Sequence, residues 1–144
     1  KYKKQEDISP FLGHWLGAEL SEIAAYKSID AVIGVPLHKD KQKVRGYNQV
    51  TGFGKAIAQA LGVVYLEDVL VKISKTDSQV FKTRGKRIQD NQEFTLINKV
   101  KIANKHILLV DDIVTTGATL ENCATQLQQA ENIKISIATM AISL

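Results

Sequence analysis

Residues 106–120 read HILLVDDIVTTGATL. Four apolar residues, Ile107 to Val110, run into two adjacent carboxylates, Asp111 and Asp112, and then into a Thr-Thr-Gly turn. A short apolar run bounded by turn signals describes a buried strand. Side by side, the two acids repel each other and favour neither strand nor helix, so packing alone does not account for them. Beyond the turn, Leu120, Cys123, Ala124 and Leu127 share one face at helical spacing, which predicts a helix over 117–130. Strand, acidic turn and helix in that order are the repeating unit of an α/β fold, where ligands sit outside the carboxyl ends of the strands.

The same alternation extends outward from that unit. Residues 30–35, DAVIGV, form a short apolar run ended by Pro36 and predict a second buried strand. Residues 46–61 carry Val50, Phe53, Ile57 and Leu61 at helical spacing, and Gly62 stops that helix. Residues 6–27 place Ile8, Phe11, Leu12, Trp15, Leu16, Leu20, Ile23 and Ala24 at three-to-four spacing, with Pro10 tolerated in the first turn. That pattern predicts a helix packed through its apolar face. VVYLEDVLVKI (63–73) reads as one or two β segments and IKISIATMAISL (133–144) as a final strand. Residues 74–92 lose all periodicity and gather Ser, Thr, Asp, Asn, Gly and cations, a loop long enough to be functional in a small domain. The expected architecture is one α/β domain over residues 1–144 with a mostly parallel sheet.

Composition narrows the class. With 44% hydrophobic and 24% charged residues, the chain has the makings of an ordinary core. Its longest apolar runs are a few residues, far short of the roughly 20 that span a bilayer, and no basic-then-apolar signal segment opens it. A soluble, cytoplasmic protein without membrane insertion is expected. The single cysteine, Cys123, supplies neither an internal disulfide nor a cysteine-built zinc site and suits a reducing compartment. The net charge of +4 favours a polyanionic ligand only weakly.

Around the acidic turn the residue types point to a ligand. Thr115, Thr116, Gly117, Ala118 and Thr119 offer small side chains, hydroxyls and successive backbone N–H groups at a helix N-terminus, the parts of a phosphate cradle. Asp111 and Asp112 share the charge of a phosphate and cannot bind it; they can accept hydrogen bonds from a vicinal diol or hold Mg²⁺ through water. A phosphate receptor beside a diol receptor describes a ribose 5-phosphate. Three plainer readings compete. Apolar residues before Asp-Asp also describe the metal-binding strand of an ATPase, but no G-x-x-x-x-G-K-[ST] loop exists in the chain. A strand, a turn and a helix capped by Thr116 or Thr119 is a second. TGFGKAI, with Gly52 and Gly54, is a partial glycine pattern with no strand leading directly into it, and reads as an ordinary helix segment.

ILLVDDIVTTGAT (107–119) resembles the phosphoribosyl pyrophosphate (PRPP) motif of type I phosphoribosyltransferases. VPLHKDKQKVRGYNQ (35–49), the opening KYKKQEDISPFLGHWLG and the scatter of Thr76, Gln79, Arg87, Asn91 and Phe94 look like the corresponding parts of ComF/GntX-type proteins within that family. The resemblance implies a Rossmann-like three-layer fold, a parallel sheet flanked by helices, with a small hood and a long flexible loop. It implies that Asp111 and Asp112 bind the ribose 2- and 3-hydroxyls, and through them or water the Mg²⁺ cofactor, while Thr115 to Thr119 hold the 5-phosphate. Pro36, Leu37, His38 and Lys39 would meet the pyrophosphate. Arg45 to Gln49 would lie near that site; the competing reading makes them a helix start with Asn48 or Gly46 near the cap. Members of the group often carry an N-terminal four-cysteine zinc element, which these 144 residues are expected to lack.

Displacing pyrophosphate from C1 of a ribose builds positive charge on the sugar and negative charge on the leaving group, so cations must face the latter. Between Lys72 and Arg87 lie six cations, Lys72, Lys75, Lys82, Arg84, Lys86 and Arg87, against one acid, Asp77. A basic loop of this kind can close over a site and exclude water, or can simply be solvated. Arg87 is the first choice among them as a catalytic group, with Arg45, Lys82 and Arg84 as further contacts. His14 and His106 read as structural, and His38 as the one histidine near the chemistry. The nearest aromatics for an acceptor base, Tyr47, Tyr65 and Phe81, read as packing. Two functions follow from the resemblance: a Mg²⁺-dependent transferase moving ribose 5-phosphate from PRPP to an unidentified nitrogen acceptor, or a non-catalytic protein that senses PRPP or a nucleotide or associates with single-stranded DNA in competence. Either is associated with competence machinery or single-stranded DNA, and turnover of PRPP separates them.

Overall fold

The computed structural model describes residues 7–37, 48–73 and 93–143. Helix α1 (Ile8–Glu22) leads through a 3-10 turn at Ala24–Tyr26 into strand β1 (Ala31–Gly34). Helix α2 (Gln49–Leu61) follows, then β2 (Val64–Tyr65), β3 (Leu70–Lys72) and β4 (Phe94–Leu96). A second 3-10 turn, Lys99–Ile102, precedes β5 (His106–Val114), helix α3 (Ala118–Leu127) and β6 (Lys134–Ile142). The main sheet has the order β2-β1-β5-β6 and every pair in it is parallel. Strands β3 and β4 form a separate antiparallel pair. The α/β fold with a parallel sheet is the one the alternation of strands and helices predicts.

Two apolar layers sandwich the sheet, and the two-residue period of each strand sorts side chains between them. Ala31, Ile33, Ile107 and Leu109 join Leu120, Cys123 and Leu127 of α3 and Leu70 and Phe94 of the β3–β4 pair. Val32, Leu108 and Val110 point the other way, onto Val50, Phe53 and Ile57 of α2 and Leu20 of α1. At about 25 cal/mol per Å² of apolar area removed from water, side chains this deeply buried are worth roughly 1.5–3 kcal/mol each. These two layers therefore hold β1 and β5 in register.

Two expectations need correcting, and one strand has no counterpart in the sequence reading. Helix α1 ends at Glu22 instead of Lys27, and it buries Ser9, Gly13, Gly17 and Leu20, with Leu12 and Leu16 packed alongside, not its whole apolar set. Phe11 and Trp15 stand 69% and 62% exposed, and Ile8 and Ile23 are exposed too. The glycines explain it: a Cβ on Gly13 would collide with the Phe53 carbonyl and lie 2.7 Å from the Ala56 Cβ, and one on Gly17 would lie 2.6 Å from the Ala60 Cβ. The helices approach most closely along this small-residue line, with Leu12, Leu16 and Leu20 packed beside it. Second, β5 does not stop at Val110 but continues through both carboxylates to Val114. The strand without a counterpart is Phe94–Leu96, and it pairs with Leu70–Lys72 across the whole 74–92 segment.

Candidate functional site

The continuation of β5 makes the site. Strand β1 pairs with β5 only as far as Gly34 opposite Val110, whereas β6 follows β5 to Val114 opposite Ile142. Beyond Val110, the edge of β5 that faced β1 has no strand beside it among the described residues. The chain leaves β1 there, held by one bond in which the Val35 N–H donates to the Val110 carbonyl at 2.9 Å. This gap is also where the strand order reverses, since β1 connects toward β2 on one side and β5 toward β6 on the other. Such a switch point opens a crevice at the carboxyl ends of an open parallel sheet.

Asp111 keeps the phase of Ile107 and Leu109, facing α3, and is 7% exposed. Its Oδ1 accepts the Asp112 N–H at 2.9 Å, and Asp112 Oδ1 accepts the Ile113 N–H at 2.7 Å. Burial pushes the Asp111 carboxyl up to about 6; the Asp112 N–H opposes this, the neighbouring Asp112 carboxylate adds to it, and Lys72 pulls it down. Asp111 is still mainly ionised at neutral pH. Cys123 lies beneath in the same layer and is inert as a thiolate, because burial, with Asp111 close by, pushes its thiol up to about 12.

Downstream, the backbone turns at Gly117 with φ 82°, a left-handed conformation that glycine adopts at least cost. Gly117 occupies the N-cap of α3 and no side chain caps the helix. Thr116 Oγ1 accepts the Ala118 N–H at a long 3.4 Å, and Thr119 is exposed in the first turn. The reading of Thr119 or Thr116 as an ordinary cap is thus not met at the cap position itself. A shallow depression of about 30 Å³ is lined by Asp111, Thr115, Thr116, Gly117, Ala118 and Thr119. The first N–H groups of α3 open there and favour an anion.

Pro36 and Leu37 leave β1 across the crevice and line a cavity of about 260 Å³ with Asn48, Thr51, Tyr65 and Glu67. Asn48 is the N-cap of α2, its Oδ1 accepting the Val50 N–H at 3.0 Å, as the plainer reading of that segment had it. His38, Lys39, Arg45, Lys82, Arg84 and Arg87 lie outside the described residues, as do Tyr47 and Phe81. Lys72 is described and is not a loop residue: it ends β3, pairs with Glu93 at 3.4 Å and lies 5.1 Å from the Phe94 ring centre. Its charge acts on Asp111. The strand-like run VLVK carried that signal, hidden by the cations that follow it. His106 is structural as expected, its ring nitrogens 2.8 Å from the Ser28 and Ser136 hydroxyls and its N–H donating to Asp30.

Residues 51–142 match the model of the phosphoribosyl transferase domain. The chain belongs to that family. Its curated relatives include Competence protein ComFC of Streptococcus pneumoniae, 38% identical over 76% of this chain and 46% of that protein. Competence protein F of Haemophilus influenzae is 29% identical over 69% and 44%, and DNA utilization protein YhgH of Escherichia coli O157:H7 25% over 86% and 56%. The chain thus spans about half the length of these relatives and is of ComF type. Among solved structures, the glutamine PRPP amidotransferase of B. subtilis superposes with a TM-score of 0.58 at 20% identity, over 90% of this chain and 26% of that one. Adenine phosphoribosyltransferase of Saccharomyces cerevisiae does so at 0.53 and 22%, over 99% and 68%. These likenesses show the phosphoribosyltransferase fold. Within the described residues no helix is long and apolar enough to cross a membrane.

Proposed function

We propose that the chain binds PRPP together with Mg²⁺ and moves its ribose 5-phosphate to a nitrogen acceptor, as part of a protein that serves DNA uptake. The observation that carries this reading is the N-terminus of α3, whose N-cap Gly117 offers no side chain, shortly after two adjacent carboxylates at the switch point of the sheet. An anion site and a diol site are adjacent there and differ in sign, which matches the two ends of a ribose 5-phosphate.

The residues each have a task. The N–H groups of the first turn of α3, with the hydroxyls of Thr115, Thr116 and Thr119, donate to the 5-phosphate. Asp111 and Asp112 accept hydrogen bonds from the 2- and 3-hydroxyls and set negative charge near the ring where positive charge grows as the C1–O bond breaks. The stretch leaving β1 at Pro36 and Leu37 faces the pyrophosphate. Two adjacent carboxylates are hard oxygen ligands of the kind Mg²⁺ takes, and would hold it through water or through the sugar hydroxyls. When bound, Mg²⁺ would neutralise charge on the departing pyrophosphate. Cytoplasmic location and the link to competence machinery or single-stranded DNA belong to the same proposal, the link supported by the names of the relatives.

Pyrophosphate release from PRPP, assayed with Mg²⁺ across a panel of purine, pyrimidine and amine nucleophiles, tests transfer. An acceptor-dependent rate that Asp111→Asn, Asp112→Asn lowers by at least about 100-fold, the scale of lost charge stabilisation, supports it. Tight binding with no turnover over the whole panel would leave a PRPP sensor instead.

A further inference from the structure

Tyr65 ends β2, one strand away from the switch point, and its ring is slotted between two glycines. A Cβ on Gly34, the last residue of β1, would overlap the Tyr65 hydroxyl, and a Cβ on Gly54 of α2 would overlap the edge of its ring. Both glycines keep φ outside the left-handed region, so the space for this ring, not backbone conformation, is what they provide. The hydroxyl is buried and hydrogen-bonded to the Thr51 side chain in the first turns of α2 and to the backbone of Gly34. Lys55 lies 5.9 Å from the ring centre and pairs with Glu67 at 2.8 Å, which closes the outer side. The contact with Gly34 sets the Tyr65 hydroxyl at the point where β1 hands over to Val35, Pro36 and Leu37, while Gly54 and Lys55 hold the ring.

We propose that Tyr65 is a positioning residue: its hydroxyl, held by Thr51, fixes the exit of β1 so that the backbone at 35–37 faces the pyrophosphate half of the ligand. The inference rests on the PRPP reading above. An ordinary packing role would need the ring alone, and Phe supplies the ring. A buried hydroxyl bonded to a strand end and to a helix has a second consequence, because it ties the loop exit to α2 through one rigid aromatic group. Tyr65 touches no ligand on this reading; it acts through Gly34, and the cavity of about 260 Å³ beside it, lined by Pro36, Leu37, Asn48 and Thr51, is the space the loop exit bounds.

Calorimetric titration of ribose 5-phosphate and of PRPP, each with Mg²⁺, into the wild type and Tyr65→Phe separates the possibilities. The inference predicts that ribose 5-phosphate binds both proteins within twofold, while PRPP binds Tyr65→Phe about tenfold more weakly, with the thermal midpoint little changed. Thr51→Val, which keeps volume and removes the partner hydroxyl, gives the same selective loss and stands in if Tyr65→Phe fails to fold. Equal loss for both ligands, or no loss for either in a folded variant, overturns the positioning role while leaving PRPP binding intact. A wild type that binds neither ligand overturns both.

Discussion

Asp111 is the residue where function and stability oppose each other. Its carboxyl titrates near 6 in the folded chain against a normal value of 3.8, so the folded state holds a proton that the unfolded state has released between those values. Stability is therefore highest below about pH 4 as far as this group is concerned, and the ionised form costs stability once the pH passes 6. Asp111→Asn is expected to raise the melting temperature at pH 7.5 by a few degrees, roughly 1 kcal/mol for a chain of this size, and to lose that gain by pH 4. Differential scanning calorimetry across that range checks it; a variant less stable than wild type at pH 7.5 would contradict the burial argument. Gly117 belongs to the same scale: with φ 82° and open space around it, Gly117→Ala should cost about 1 kcal/mol through backbone strain alone, visible as a shifted urea midpoint. Asp111 was legible in the sequence as a candidate because packing does not call for paired acids at the end of a buried strand. Its coupling to Lys72 was not, since a cation's neighbour across a sheet layer leaves no trace in spacing.

Among the elements, α1 teaches the most. Its apolar residues run round much of the helix, so periodicity identifies a helix without choosing its face. Two glycines choose it: the α1–α2 seam is built on Gly13 and Gly17, with Leu12, Leu16 and Leu20 beside it on the core and Phe11 and Trp15 turned outward. Trp15→Ala is accordingly expected to change stability by no more than about 0.5 kcal/mol, while Gly13→Ala loses about 1–3 kcal/mol from overpacking against Phe53 and Ala56 despite the better helix propensity of alanine. Equilibrium unfolding in urea of the two variants decides the matter, and the opposite ranking would refute the glycine seam. The β3–β4 pair was half legible. VLVK announces β3, but β4 is three residues long and its partner lies beyond an aperiodic stretch, so nothing local marks it. Gly52 and Gly54, a weak ligand motif on paper, turn out to make room for Ser9 and Pro10 of α1 and for Tyr65.

For the whole molecule, order β2-β1-β5-β6 is what turns a strand with two acids into a candidate site. The sheet was readable from short apolar runs alternating with helices, whereas the strand order was not, because parallel pairing depends on long-range register. That order sets the exit of β1 at Val35 to Leu37 beside the extension of β5 that leads to the turn at Thr115 to Thr119, at the same end of the sheet. The central claim is that the crevice at that end accepts a ribose diol and its 5-phosphate. It is tested most directly by calorimetric titration of PRPP, with and without Mg²⁺, into the wild type and into the Asp111→Asn, Asp112→Asn variant at pH 7.5. The expected result is binding that requires Mg²⁺, falls at least about tenfold in the variant, and weakens in the wild type as the pH drops below 6 and Asp111 takes up a proton. Unchanged affinity in a folded variant, or no binding by the wild type, would contradict it.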